Sequence, residues 1–104
     1  MHESLLAEID AYCYMVQRGK PSAVIPVKTE NMQAALNRVK FLHNLKAYSR
    51  QSNEQWSELW IYKQEYMLEV IKNLPEKPKT IFDHWVLGKA FGYSDEAIGE
   101  YVKS

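Results

Sequence analysis

The chain has 104 residues, and its thirteen Lys and Arg balance thirteen Asp and Glu for a formal net charge of zero. Apolar residues make up 46% and aromatic residues 12%, which is too apolar and too low in net charge for an intrinsically disordered chain. That length predicts a single domain, residues 1–104, with one core, and excludes a TIM barrel or a full dinucleotide-binding fold.

The lone Cys13 makes no internal disulfide, the start Met1-His2-Glu3-Ser4 has no basic, apolar leader, and no run approaches a membrane span. These features predict a soluble, cytoplasmic protein with no membrane contact. The charge is uneven along the chain. Before Arg18 it carries only the acids Glu3, Glu8 and Asp10, whereas residues 18–50 carry seven bases against Glu30 alone. Within that basic segment Arg18, Lys20, Arg38, Lys40, Lys46 and Arg50 are the candidate anion or nucleic-acid face. The competing account pairs them with acids across the fold. A whole-chain pI near 6.8 sits well below the usual footprint of a nucleic-acid-binding domain.

Leu5, Leu6, Ile9, Tyr12, Cys13 and Val16 share one helical face, and Gly19 and Pro21 stop the pattern, so a helix is predicted over residues 4–18. Cys13 lies on its buried face as a small core residue. Ser22 to Val27 is short, β-branched and interrupted by Pro26, the signature of an edge strand or extended loop. Thr29 reads as an N-cap for a helix over residues 30–43, with Met32, Ala35, Leu36, Val39 and Leu42 on its apolar stripe and Asn44 as its stop.

Residues 46–63 fit two patterns. Trp56, Leu59, Trp60 and Met67 suit a helical face. Ser49 to Asn53 favours a turn, however, and Leu59 to Tyr62 is four large apolar residues in a row, which suits a strand buried on both sides. A hairpin with a polar turn near residues 51–55 is the preferred reading. Met67, Leu68, Ile71 and Leu74 line the next helix, which ends at Pro75 and Pro78. Thr80-Ile81-Phe82-Asp83 has the form of a capping box, opening a helix to about Phe91; Gly92 ends it and Ser94 caps a last one.

The stretch Leu87 to Ile98 is similar to a helix-turn-helix. Gly88 stands four residues before the turn glycine Gly92, Tyr93 follows it, and Ile98 and Tyr101 are apolar on the second helix. The resemblance implies a close helix crossing at Gly88. It does not extend to DNA recognition, because the second helix carries Asp95, Glu96 and Glu100 against Lys103 and has no Arg, Asn or Gln.

Catalytic and metal motifs are missing. His2, His43 and His84 have no partner at ligand spacing, and there is no phosphate loop, dinucleotide fingerprint or nucleophile elbow. The prediction is therefore a non-enzyme with no metal and no cofactor. Thirteen aromatic residues exceed what a small core usually hides. Trp56, Trp60, Tyr62, Trp85 and Tyr101 are the candidate protein interface, since Trp and Tyr anchor most interfaces. A second use is stacking of single-stranded bases on Tyr48, Trp60 and Tyr62, with Arg38, Lys40, Lys46 and Arg50 on the phosphates.

The expected architecture is α+β: an edge strand plus a hairpin forming a short antiparallel sheet, packed by about five helices, with an all-α fold as the alternative. The expected function is a protein-interaction or regulatory module that binds another protein or itself. Nucleic-acid binding through residues 18–50 is the alternative.

Overall fold

The computed structural model describes residues 2–103. It is α+β, with a three-stranded antiparallel sheet and five helices. In chain order these are α1 (Glu3–Gln17), β1 (Ser22–Lys28), α2 (Met32–Asn37), β2 (Lys46–Gln51), β3 (Trp56–Tyr62), α3 (Met67–Lys72), α4 (Ile81–Phe91) and α5 (Asp95–Lys103).

The strand order is β1-β3-β2, so the strand last in sequence is the central one. A central strand has no solvated face when helices cover both sides of the sheet, and that is the case here. Leu59 and Ile61 join Ile9, Cys13, Val16, Ile25 and Val39 in one core cluster, beneath α1 and α2. Trp60 and Tyr62 join Met67, Ile71, Leu74 and Ala90 in a second, beneath α3 and α4. The alternation of side chains along β3 therefore serves two cores at once. This is the physical reason that Leu59 to Tyr62 is unbroken apolar sequence.

Pairing follows from the same geometry. Thr29 N–H donates to the Gln55 carbonyl at 2.8 Å, in register with Val27 opposite Ser57. Hydrogen-bonded pairs alternate, so Ala23, Ile25 and Val27 bond to β3 while Ser22, Val24, Pro26 and Lys28 turn their backbone outward. Pro26 thus occupies a position where a missing N–H costs no ladder bond. In the hairpin turn, the Asn53 carboxamide oxygen accepts from the N–H groups of Gln55 and Trp56, both at 2.9 Å.

The predicted helix over residues 30–43 is not one α-helix. A 3₁₀ turn (Thr29–Asn31) leads into α2, and a π-helical turn (Arg38–Leu42) follows it. Thr29 is not an N-cap, because its hydroxyl lies 2.9 Å from that of Ser57. Asn44, the predicted stop, has a left-handed backbone at φ 55°. The α1 helix begins at Glu3 with no side-chain cap.

The C-terminal half matches its sequence signals closely. Thr80 Oγ1 accepts from Asp83 N–H, and the Asp83 carboxylate accepts from Thr80 N–H, completing the capping box. Gly92 closes α4 at φ 84°. Ser94 Oγ accepts from Ala97 N–H at 3.1 Å. At Gly88 an added Cβ would lie 2.6 Å from Ile98 Cγ1, so only glycine lets α4 and α5 approach this closely. The connection from α1 to β1 is fastened to the C-terminus of α4. Ser22 Oγ donates to the Ala90 carbonyl at 2.6 Å, and Lys20 Nζ donates to the Phe91 carbonyl. Both carbonyls belong to the last turn of α4, which has no further helical N–H to bond and attracts a cation.

Candidate functional site

Helix α4 is apolar around most of its circumference, and it is too short to bury all of that surface. Ala90 and Val86 face the sheet cluster. On one flank Phe82 and Trp85, with Tyr66 and Val70 of the α3 segment and Pro21, line an open groove of about 500 Å³. Phe82 is 73% exposed and Tyr66 67%. Met67 and Ile71 are committed inward, which turns Tyr66 and Val70 to solvent. Lys89 is the cation on this rim, and it pairs with Asp95 at the start of α5.

The other flank of α4 meets α5. Leu87, Phe91, Tyr93 and Ile98 line a cleft of about 430 Å³ there, which Pro78, His84 and Tyr101 also border. The His84 and Tyr101 rings are in tilted contact, 5.2 Å between centroids.

The five aromatic residues predicted as an interface do not form one surface. Trp60 and Tyr62 are interior, at 2% and 5% exposure, and cannot serve as anchors. They lie on the sheet face that α3 and α4 cover, Trp60 stacked on Phe91 with centroids 5.8 Å apart. The same burial removes both from the proposed base-stacking platform. Trp56 is exposed at the far end of β3, Trp85 lines the α3–α4 groove, and Tyr101 borders the α4–α5 cleft. The more exposed groove residues, Tyr66 and Phe82, belong to the aromatic-rich stretch 56–85 but lie outside the five interface candidates. Their signal is readable, since Ile81, Phe82, Trp85, Val86, Leu87, Ala90 and Phe91 are more apolar positions than one buried stripe of an eleven-residue helix holds.

The six predicted cations are also dispersed. Arg38 makes a two-pronged contact with Asp10, Nε and Nη2 at 2.8 and 2.7 Å from its two oxygens. Arg50 Nε donates to Glu58 Oε1 at 2.8 Å, and Trp60 Nε1 donates to the same oxygen. Arg18 packs over the Tyr14 ring, 4.3 Å from its centroid. Lys20 is drawn to α4 and lies 5.6 Å from the Phe91 and Tyr93 centroids; burial lowers its pKa. Lys40 and Lys46 are exposed.

Asp10 is the most interconnected ionisable group. Its carboxylate also meets His43 Nε2 at 2.6 Å, so Arg38 and His43, at the two ends of the π-helical turn, share one acid. The Arg38 hydrogen bond, reinforced by His43, holds the Asp10 carboxyl at a pKa of about 2. Neighbouring Cys13 is fully buried, and burial pushes its thiol up to about 12. The nucleophilic thiolate is therefore negligible at neutral pH. Asp10 and His43 form no catalytic set with it. Among the described residues no group of three or more His, Cys, Asp or Glu side chains is placed to hold a metal ion, and no helix is long and apolar enough to cross a membrane.

No protein-family model matches the chain, and no curated protein matches it in sequence.

Proposed function

We propose that this chain is a non-enzymatic interaction module that acts by presenting the α3–α4 groove to a protein partner. The observation that carries the reading is the contiguity of Tyr66, Val70, Phe82 and Trp85 around one open apolar groove. Apolar side chains scattered singly on a surface need no explanation, but a clustered patch around a concavity is the form interaction sites take. Phe, Tyr and Trp supply large contact area at small conformational cost. Two groups that could suggest catalysis lend it no support: burial pushes the Cys13 thiol up to about 12, and the Asp10–His43 pair is engaged by Arg38.

The nucleic-acid alternative requires the basic segment to present cations on one face, free of acidic partners. Arg38 and Arg50 each already hold a carboxylate, so geometry favours the interaction module.

A photo-crosslinking amino acid placed at Phe82 tests the proposal, with the same group at exposed Glu100 as control. Covalent capture of a discrete protein from Phe82 but not from Glu100, abolished by Tyr66→Asp, is the expected result. Equal capture from both positions would overturn it.

A further inference from the structure

The two edges of the sheet differ in what a further strand would meet. On β1 the outward-facing positions are Ser22, Val24, Pro26 and Lys28, and Pro26 has no N–H to offer. On β2 the outward set follows from the turn. Ser52 N–H donates to the Trp56 carbonyl at 3.0 Å, which continues the register of Arg50 opposite Glu58 and Tyr48 opposite Trp60. Ala47, Ser49 and Gln51 therefore turn their N–H and C=O groups away from β3. No other backbone group of the described residues pairs with them. Ser49 and Gln51 are exposed, so the edge is open to approach.

An open edge of six residues without proline is a template for a strand whose side chains suit its own. Strand β2 meets that condition with itself, in one register. With a two-fold axis through Ser49, Ala47 of each copy falls opposite Gln51 of the other, and Ser49 falls opposite Ser49. These pairs exchange N–H···O=C bonds, so every outward backbone group finds a partner. Between them Tyr48 falls opposite Arg50, and Lys46 opposite Ser52. Those are the pairs without backbone bonds, where facing side chains stand closest, and a guanidinium is attracted to an aromatic ring. The other two-fold registers fail. An axis through Tyr48 puts Lys46 opposite Arg50, and an axis through Arg50 puts that residue opposite itself; like charges so placed repel. An axis through Ala47 or Gln51 leaves a single outward pair within the strand.

The charges already on the sheet suit the Ser49 register. Glu58 of β3 accepts from Arg50 Nε at 2.8 Å, so this pair is neutral before a second copy arrives. Arg50 also lies 5.9 Å from the Trp60 ring, so an aromatic neighbour is no new environment for it. Across the seam the row would read Glu58 and Arg50 from one copy, then Tyr48 and Trp60 from the other. Lys72 of α3 lies 5.9 Å from the Tyr48 ring centroid as well, but it is exposed, and its flexible ammonium turns to water as Arg50 arrives.

We infer that two copies of this chain join edge to edge along β2, with the two-fold axis through Ser49, to make one continuous six-stranded sheet. The axis is normal to the sheet, so the α3–α4 layers of both copies lie on the same side of it. The seam is shorter than a standard stable interface, which sets the expected dissociation constant in the micromolar range. It does not involve the α3–α4 groove, so either proposal stands or falls without the other.

Sedimentation equilibrium of the intact chain, from micromolar to millimolar concentration, tests the inference. The expected result is a monomer–dimer equilibrium, with amide exchange at Ala47, Ser49 and Gln51 slowing as the dimer forms. Ser49→Lys sets two ammonium groups face to face on the axis and raises the dissociation constant at least tenfold, whereas Phe82→Asp leaves it unchanged. The register is read by cross-linking under mild oxidation. In Ser49→Cys the two thiols face each other with Cα atoms about 5.5 Å apart, within disulfide reach, and a linked dimer forms. In Gln51→Cys the two thiols are offset along the strands by roughly 13 Å, and none forms. Cys13 is buried and adds no background. Should Ser49→Lys fail to fold, the cross-linking pair and the wild-type exchange pattern decide the matter. A monomer at every concentration overturns the inference, as does equal cross-linking from Ser49→Cys and Gln51→Cys. A dimer that withstands Ser49→Lys and dissociates in Phe82→Asp also overturns it, by placing the contact in the groove.

Discussion

Asp10 shows how a single carboxylate shapes a stretch of backbone it does not belong to. It projects from α1, yet its partners Arg38 and His43 begin and follow the π-helical turn. A π-turn is intrinsically less favourable than continued α-helix and needs such an anchor. One consequence is exposure of the two apolar residues that end the turn, Phe41 and Leu42. The ion pair also links stability to pH. Folding lowers the Asp10 pKa from 3.8 to about 2, so the unfolded chain binds the proton more tightly, and the stabilisation present above pH 4 is lost as pH falls toward 2. With the Asp10 side chain 36% exposed, solvent screening reduces the contribution to about 1 kcal/mol. Urea unfolding at pH 4 and pH 2 should show Asp10→Asn losing about that much less stability over the interval than the wild type. Parallel losses in the two proteins would show that Asp10 has no such role. The uneven charge anticipates that the basic segment meets acids across the fold, but nothing in the sequence marks Asp10 as the acid that Arg38 and His43 share. Equally, the apolar run that identifies β3 argues that Trp60 and Tyr62 are covered, and aromatic content by itself does not separate a core residue from an anchor.

Among the elements, legibility depended on whether the deciding interaction was local. The capping box at Thr80, the stop at Gly92 and the cap at Ser94 all bond within a few residues, and each forms as its residues suggest. The hairpin was legible for a different reason, since only a strand covered on both faces accommodates Leu59 to Tyr62. The region of residues 30–43 was not, because periodicity near 3.6 does not distinguish an α-helix from a short one closed by a π-turn that a distant acid holds. The helix crossing at Gly88 is a local signal with a tertiary readout, and it makes a sharp prediction. Ile98 is buried and β-branched, so it yields little space to a methyl group placed 2.6 Å from its Cγ1. Gly88→Ala should destabilise the protein by about 1–3 kcal/mol. In an Ile98→Ala background the obstacle is gone and only helix propensity remains, which favours Ala over Gly by up to about 1 kcal/mol. A double-mutant cycle by chemical denaturation should therefore show the effect of Gly88→Ala changing sign. An equal cost in both backgrounds would mean that the crossing does not require glycine.

At the scale of the whole molecule, the sheet acts as a shared floor for two helical layers. The surface is 6969 Å², above the roughly 6,000 Å² expected for this mass. The radius of gyration of 14.0 Å likewise exceeds the about 13 Å of a rounder chain of this length. The excess is the geometric counterpart of helices set on both faces of a narrow sheet, with open grooves between them. Such a design raises the question of whether the α1–α2 layer and the α3–α4 layer melt together. Their coupling runs through β3, whose alternate residues feed both clusters, and through Ser22 and Lys20 on the last turn of α4. Trp60→Ala should cost about 3–5 kcal/mol as a large-to-small change in a packed interior. If β3 couples the layers, that loss also reaches the opposite face. Cys13 reports on that face directly, because its buried thiol, with a pKa near 12, reacts only when α1 leaves the sheet. In a urea titration, Cys13 labelling and tryptophan fluorescence should share one midpoint in the wild type and shift together in Trp60→Ala. Fluorescence changing at a lower urea concentration while Cys13 stays protected would instead mark α3–α5 as a separately melting layer. The groove between α3 and α4 would then belong to the less stable part of the molecule, where a partner's binding energy has the most order to restore.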